Sequence, residues 1–341
     1  MNRLCAAFCL AGATLGMTGA HAADPITIKI SDHFPANHIS PTSITKPWMA
    51  QVEQQSNGQI KFQHYPAQQL VKQTDAVAGM QRRIVDISLI NPGLFPSEFP
   101  LTGVAFLPGG YSSVVEGGKA IRRLLANSAI RNEFEKAGGT AVLIIPFDGF
   151  EVFSRERPIH RPEDVRGLRI RTAGEGQVLA VRALGGTPVT IAVPEVYTAI
   201  QRGTLDGSLF PYSVAASYRL GEVTKFATIG ANTAFSHVVY TANATFWGGL
   251  SAANRDLLVK TADAKAPQGW AAMDDTTRAT IDDYQKSGVT LVRIDGIAGG
   301  RQAWDEALRP VRDKWVADME SKGLPGKAVL QAWDEALKAA R

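Results

Sequence analysis

The feature that most constrains this chain is a change of hydrophobic period that recurs along it. Ile26-Thr27-Ile28-Lys29-Ile30 alternates apolar and polar residues, as a strand with one buried face requires. Pro41 to Gln55 follows a helical pattern and stops at Asn57-Gly58. Gln59 to Tyr65 alternates again, Asp75 to Arg82 is helical, and Val85 to Ile90 is short and apolar. Strand, helix, strand, helix, strand in this order predicts parallel strands covered by helices. A parallel pair needs a crossover connection, and the crossover helix must bury its apolar stripe on the sheet.

A second set follows. Val115 to Lys136 reads as one helix, and Thr140 to Pro146 (TAVLIIP) as a strand buried on both faces. Leu168–Thr172, Pro188–Ile191, Leu205–Phe210 and Ser236–Asn243 read as strands, with helices at Glu175–Leu184 and Pro194–Arg202. Beyond Ser251 the chain is almost wholly helical. The 341 residues exceed the roughly 250–300 at which single cores stop growing, so two α/β sets imply two lobes. The segment AWDEAL occurs at 303–308 and 332–337. Its flanks do not match, and two amphipathic helices made of good helix formers account for it.

Residues 1–22 carry one charge, Arg3, then the apolar run Leu4 to Met17 and the small residues Ala20 and Ala22. This is the pattern of a secretory leader cleaved after Ala22. Cleavage removes Cys5 and Cys9, the only two cysteines, and leaves 35 basic against 32 acidic residues, a net +3. Disulfides, thiolate nucleophiles and cysteine–zinc sites are then excluded from the exported chain. The composition, 45% hydrophobic and 20% charged, excludes disorder. A net charge of +4 on the full chain, without a basic block, argues against a nucleic-acid partner.

No catalytic pattern emerges. His33, His38, His64, His160 and His237 show no helical zinc spacing, and H-E-x-x-H, G-x-S-x-G and Walker A motifs are missing. Gly174-Glu175-Gly176 follows a strand and opens a helix, but Leu179 stands where a dinucleotide fingerprint has its third glycine. The same turn aims backbone N–H groups at an anion, which makes Gly174 a candidate contact. Arg169 and Arg171 share one face of the preceding strand. At the C-terminal end of such a strand a guanidinium faces the crevice where ligands bind, and its planar fork matches a carboxylate.

These pieces carry a resemblance. R-P-E-D-V-R-G-L-R-I-R-T at 161–172, E-V-Y-T-A-I-Q-R-G-T-L-D-G at 195–207, SNGQIKFQHYPAQQL at 56–70 and MQRRIVDISLI at 80–90 are similar to the solute-binding proteins of TRAP (tripartite ATP-independent periplasmic) transporters, the DctP-like group. The resemblance covers nearly the whole exported chain. It implies a two-lobe, type II-like periplasmic binding fold with mixed sheets flanked by helices and long C-terminal helices. The lobes it implies are 24–147 with 241–280, and 148–240 with 281–341. It implies a receptor without catalysis, cofactor or metal, monomeric, in the periplasm, handing an organic acid to the small and large subunits of an ion-gradient-driven permease. Arg171 corresponds to the arginine that binds the ligand carboxylate.

Departures from the family pattern suggest the ligand class. Glu151 stands where sialic-acid binders carry a second arginine, Phe210 replaces an asparagine before Pro211, and Val193 stands where an aromatic is frequent. A single arginine suits one carboxylate. Glu151 would repel a second anion or accept from a hydroxyl or ammonium, and Phe210 would face a ring or alkyl body. A monocarboxylate with a cyclic, aromatic or branched body follows as the expectation. Further wall candidates are Asp32 and His33 after the first strand, Gln73 and Thr74 at a helix start, Asn91 after the third strand, and His237 at a strand start. The alternatives are a type II binding protein serving an ATP-driven transporter or sensor kinase, and an exported enzyme.

Overall fold

The computed structural model describes residues 25–341, so the expected leader and its cleavage site lie outside the described residues. Strands β1 (Ile26–Ser31), β2 (Ile60–Tyr65) and β3 (Ile87–Ile90) are parallel, as the spacing predicts. β4 (Gly139–Pro146) and β10 (His237–Asn243) complete a first sheet in the order β2-β1-β3-β10-β4, where β10 runs antiparallel to both neighbours. β5 (Glu151–Ser154), β6 (Arg169–Thr172), β7 (Thr187–Thr190), β8 (Gly207–Phe210), β9 (Phe226–Ile229) and β11 (Thr290–Arg293) form a second, in the order β11-β9-β5-β8-β6-β7.

The antiparallel strands mark where the chain passes between lobes. β5 follows directly from the end of β4, and β10 returns from the second sheet. Each therefore enters its sheet from the cleft side, opposite to strands that end there. The switch expected at 240/241 falls inside β10, all of which lies in the first sheet. The segment 147–150 and the segment 230–236 are the two strand-level crossings.

Helices cover the outer faces. Helix Ala252–Lys286, with Ser251 Oγ accepting from Asn254 N at 3.1 Å as its cap, packs on helices Lys46–Gln55 and Val114–Leu125, on β4, and on the short helix Tyr212–Ala215. Trp270 lies against Gly118, where any Cβ would collide with the indole. This lets the two helices approach at a distance that only glycine permits. The helix expected over 115–136 is two, because Asn127 Oδ1 accepts from Ala129 N and starts a new one. Strands β5, β9 and β11 escaped the sequence reading, being four residues each and without sustained alternation.

The C-terminal helices divide between the lobes. Gly300–Ser321 packs on helix Glu175–Ala183, whereas Gly326–Lys338 packs on Val114–Leu125 of the first lobe. The expected second lobe, 281–341, therefore includes a helix seated on the first. The reason is its apolar stripe: Val329, Trp333, Ala336 and Leu337 recur at helical spacing and are buried.

Candidate ligand-binding site

Between the two sheets lies a cavity of about 30 Å³, walled by residues of both lobes. The first lobe supplies His33, Phe34, Gln73, Asn91 and Val238, and the second Arg171, Ala173, Val193, Phe210, Pro211 and Val214, with Phe147, Phe150 and Ser236 from the crossings. The space is small: the two lobes stand closed on one another around Arg171.

Arg171 reaches the cavity from β6, and only 1% of it is exposed. Its Nε donates to the Ile191 carbonyl at 3.2 Å, and its guanidinium carbon lies 5.7 Å from the centre of the Phe210 ring. Its Nη2 is buried and has no partner. Burial pushes its pKa down to about 9, against an opposing pull from Tyr218, so it keeps its charge at neutral pH. Arg169, two residues earlier on the same face, is held outside the cavity by Asp206: Nε to Oδ2 at 2.9 Å and Nη2 to Oδ1 at 2.8 Å.

Gln73 faces Arg171 from the other lobe. Its Oε1 accepts from Val193 N at 3.2 Å, a hydrogen bond across the cleft, and this orients the amide. Nε2 is then a buried donor without a partner. Asn91 is oriented in the same manner, with Oδ1 accepting from Gly93 N at 3.0 Å. His33 is buried and its Nδ1 has no partner. Burial outweighs the nearby Asp32 and pushes its pKa down to about 4, so the ring is neutral at neutral pH.

Other expected contacts do not meet the cavity. Glu151 pairs with Phe210 across β5 and β8, but its carboxylate turns into the 228–232 loop. There it accepts from Thr228 Oγ1 at 2.6 Å and from the N–H groups of Gly230, Ala231 and Asn232 at 3.0–3.3 Å. Burial raises its pKa against the pull of these bonds. It holds a crossing segment and is not part of the cavity wall. Asp32 lies behind the wall, accepting from Phe34 N at 2.6 Å and Tyr240 Oη at 2.8 Å. Thr74 is exposed, because the helix start that buries Gln73 turns its neighbour outward. His237 is fully buried with its ring 5.1 Å from Phe106, outside the cavity wall.

Gly174 also stands apart from the cavity, and its role is steric. It abuts Gly93 of the opposite lobe: a Cβ on Gly93 would lie 2.6 Å from the Ala173 carbonyl and 2.6 Å from Phe106. The sequence reading missed the aromatic walls Phe34, Phe147 and Phe150. The signal was present in Pro146-Phe147-Asp148-Gly149-Phe150, two aromatics at the exit of a buried strand.

Among the described residues that wall the cavity there is one cation and no carboxylate. Among the described residues no group of three or more His, Cys, Asp or Glu is placed to hold a metal ion, and no helix is long and apolar enough to cross a membrane.

Comparison with known proteins places this geometry. The C4-dicarboxylate-binding periplasmic protein DctP of Rhodobacter capsulatus is 28% identical over 315 residues, covering 89% of this chain and 92% of that protein. Among solved structures, a TRAP solute-binding protein from Rhodoferax ferrireducens, in complex with copurified benzoate, matches with a TM-score of 0.84 at 21% identity, covering 92% of this chain and 98% of that one. A TRAP periplasmic solute-binding protein from Bordetella bronchiseptica with bound (R)- and (S)-mandelate matches with a TM-score of 0.84 at 20% identity, covering 93% and 100%. The family model described as "Bacterial extracellular solute-binding protein, family 7" (DctP) matches residues 30–318, and the chain belongs to that family.

Proposed function

We propose that this protein is the periplasmic receptor of a TRAP transporter, that its ligand is an organic monocarboxylate with a cyclic, aromatic or branched body, and that it delivers this acid to an ion-gradient-driven permease. The observation that carries the reading is Arg171: a buried guanidinium with a free Nη2, in a cleft whose wall holds no carboxylate. A ligand carboxylate supplies the missing counter-charge, and exclusion of water by closure strengthens the pair. A second carboxylate would find no second cation, which separates this site from the C4-dicarboxylate specificity for which the Rhodobacter relative is named. An ammonium group would find no acceptor carboxylate, since Glu151 is committed to the 228–232 loop. Phe34, Phe147, Phe150 and Phe210 suit an apolar body, as benzoate and mandelate suit the two structural relatives. The role is capture and release, with Gln73 adding a neutral donor from the opposite lobe.

A thermal-shift screen of the leaderless protein against mono- and dicarboxylates tests this. A cognate acid at 100 times its Kd stabilises by about 2.7 kcal/mol. Stabilisation by succinate or malate, with none by benzoate, mandelate or branched 2-oxo acids, would refute the assignment of ligand class.

A further inference from the structure

Gln73 is the wall residue that engages both lobes. Its side chain is buried at the cavity, and its Oε1 accepts from Val193 N of the second lobe at 3.2 Å. Among the described residues that wall the cavity, no other pair is hydrogen-bonded from lobe to lobe. The amide is one planar group, so the bond to Val193 also fixes where Nε2 lies. That nitrogen is a buried donor without a partner. The position of Gln73 is itself built. Gln73 N donates to Gln68 Oε1 at 2.8 Å. Gln68 is pinned in turn: its own N donates to the Asp32 carbonyl at 3.0 Å, and Ala67 N donates to the Phe34 carbonyl at 2.8 Å. Ala67 and Gln68 have φ of 53° and 62°, two consecutive non-glycine residues in the left-handed region. Such a conformation persists only where its surroundings enforce it. A chain of hydrogen bonds thus runs from the end of β1 through Gln68 to the Gln73 amide, and ends on the second lobe.

We infer that Gln73 is a two-ended latch, its Oε1 holding Val193 N while its Nε2 donates to the carboxylate of the bound acid, and that Gln68 is the positioning residue that aims it. This rests on the reading of Arg171 as the carboxylate anchor and adds what retains the acid after capture. Arg171 Nη2 and Gln73 Nε2 are unpartnered donors on opposite lobes of one cavity. A carboxylate has two oxygens and accepts from both at once, which an ester or a lone hydroxyl does less well. The bond to Val193 exists only when the lobes meet. The latch therefore acts on escape of the acid and leaves its entry alone, so it sets the dissociation rate. Gln68 lines no cavity and touches no ligand; it acts through the backbone N–H of Gln73.

Stopped-flow binding of benzoate, mandelate and 2-oxoisovalerate to wild type and four variants tests the latch. Gln73→Met removes both ends. Dissociation of the acids that bind should quicken by about tenfold or more, the size of one hydrogen bond, while association stays within about twofold. Gln73→Glu keeps an acceptor for Val193 N and turns a second oxygen toward the acid, so affinity should fall by at least about a hundredfold. Gln68→Leu should quicken dissociation about threefold or more, and Gln68→Glu, which keeps the acceptor for Gln73 N, should restore the wild-type rate. Binding by Gln73→Glu within tenfold of wild type would overturn the donation to the acid. Slower association with unchanged dissociation in Gln73→Met would make the residue part of entry and refute the latch. Equal dissociation rates in Gln68→Leu and wild type, or no rescue by Gln68→Glu, would overturn the positioning role. If none of the three acids binds wild type, the reading of Arg171 falls, and the latch with it.

Discussion

An unpaired cation in a closed cleft has an energetic cost that can be worked from the structure. Burial lowers the pKa of Arg171 from the usual guanidinium range to about 9. At about 1.36 kcal/mol per unit, keeping the charge in the closed, empty cleft costs on the order of 5 kcal/mol relative to water. With Arg171 as the proposed anchor, the empty protein is expected to favour an open arrangement that hydrates it, and a ligand carboxylate to remove the penalty by pairing with it. Replacing Arg171 by Met keeps most of the apolar bulk and deletes the charge. The expected outcome is twofold. Affinity for organic acids falls by at least about a hundredfold, because two charge-assisted hydrogen bonds vanish. The empty variant also closes by itself, since nothing charged is left to hydrate. Small-angle scattering of empty and ligand-saturated wild type, against empty Arg171→Met, reads this directly: the variant should share the compact profile of the liganded wild type. The pH dependence has a definite sign. The closed form releases its proton more easily than the open form, so the penalty is full below about pH 9 and shrinks as pH rises above it. If empty Arg171→Met scatters like empty wild type, or binds acids within tenfold of it, the buried charge is neither gate nor anchor.

Three further outcomes follow from other parts of the structure. Glu151→Gln should leave acid affinity unchanged and lower stability by about 2–3 kcal/mol, measured by urea unfolding, because buried N–H donors lose a charged acceptor; altered ligand selectivity would instead place the carboxylate at the ligand. Gly93→Ala puts a Cβ 2.6 Å from the Ala173 carbonyl and 2.6 Å from the Phe106 ring of its own lobe, so it should weaken binding of all acids alike and also lower the unliganded melting temperature. Buried His33, His38 and His237 are pushed down from 6.5 to about 4, 3 and 3. Unfolding lets each protonate, so the stability present above pH 6.5 is lost as pH falls toward 4, by up to about 2–3 kcal/mol per ring at pH 4.5; His237→Leu should flatten that dependence in urea melts.

The strands that carry the sheets were legible where alternation or a long apolar run imposed one reading, as in β1, β2 and β4. Strands β5, β9 and β11 were not, because four residues hold too few periods to separate a strand from a loop. The strand pattern offered Arg169 and Arg171 together, the family resemblance pointed to Arg171, and the structure separates the two by what meets them. Asp206 forks onto Arg169, and nothing negative reaches Arg171. Glu151 misled because register says which face a side chain starts from, and the 228–232 loop that bends over it is fixed only by tertiary structure. Phe147 and Phe150 wall the cavity from the 147–150 crossing, and two aromatics at the exit of a buried strand were the signal that the reading passed over.

The way the last two helices are seated sets a limit on motion. One rests on the second lobe and the next on the first, and only Lys322-Gly323-Leu324-Pro325 join them. Four residues stretch to at most about 14 Å. Lys322 and Leu324 line a groove together with Gly93 and Gly174, so this short tether lies along the seam where the lobes meet. With both helices kept on their seats, such a strap would let the lobes part only until its four residues were taut, while the contact of Gly93 with Gly174 sets how closely they meet.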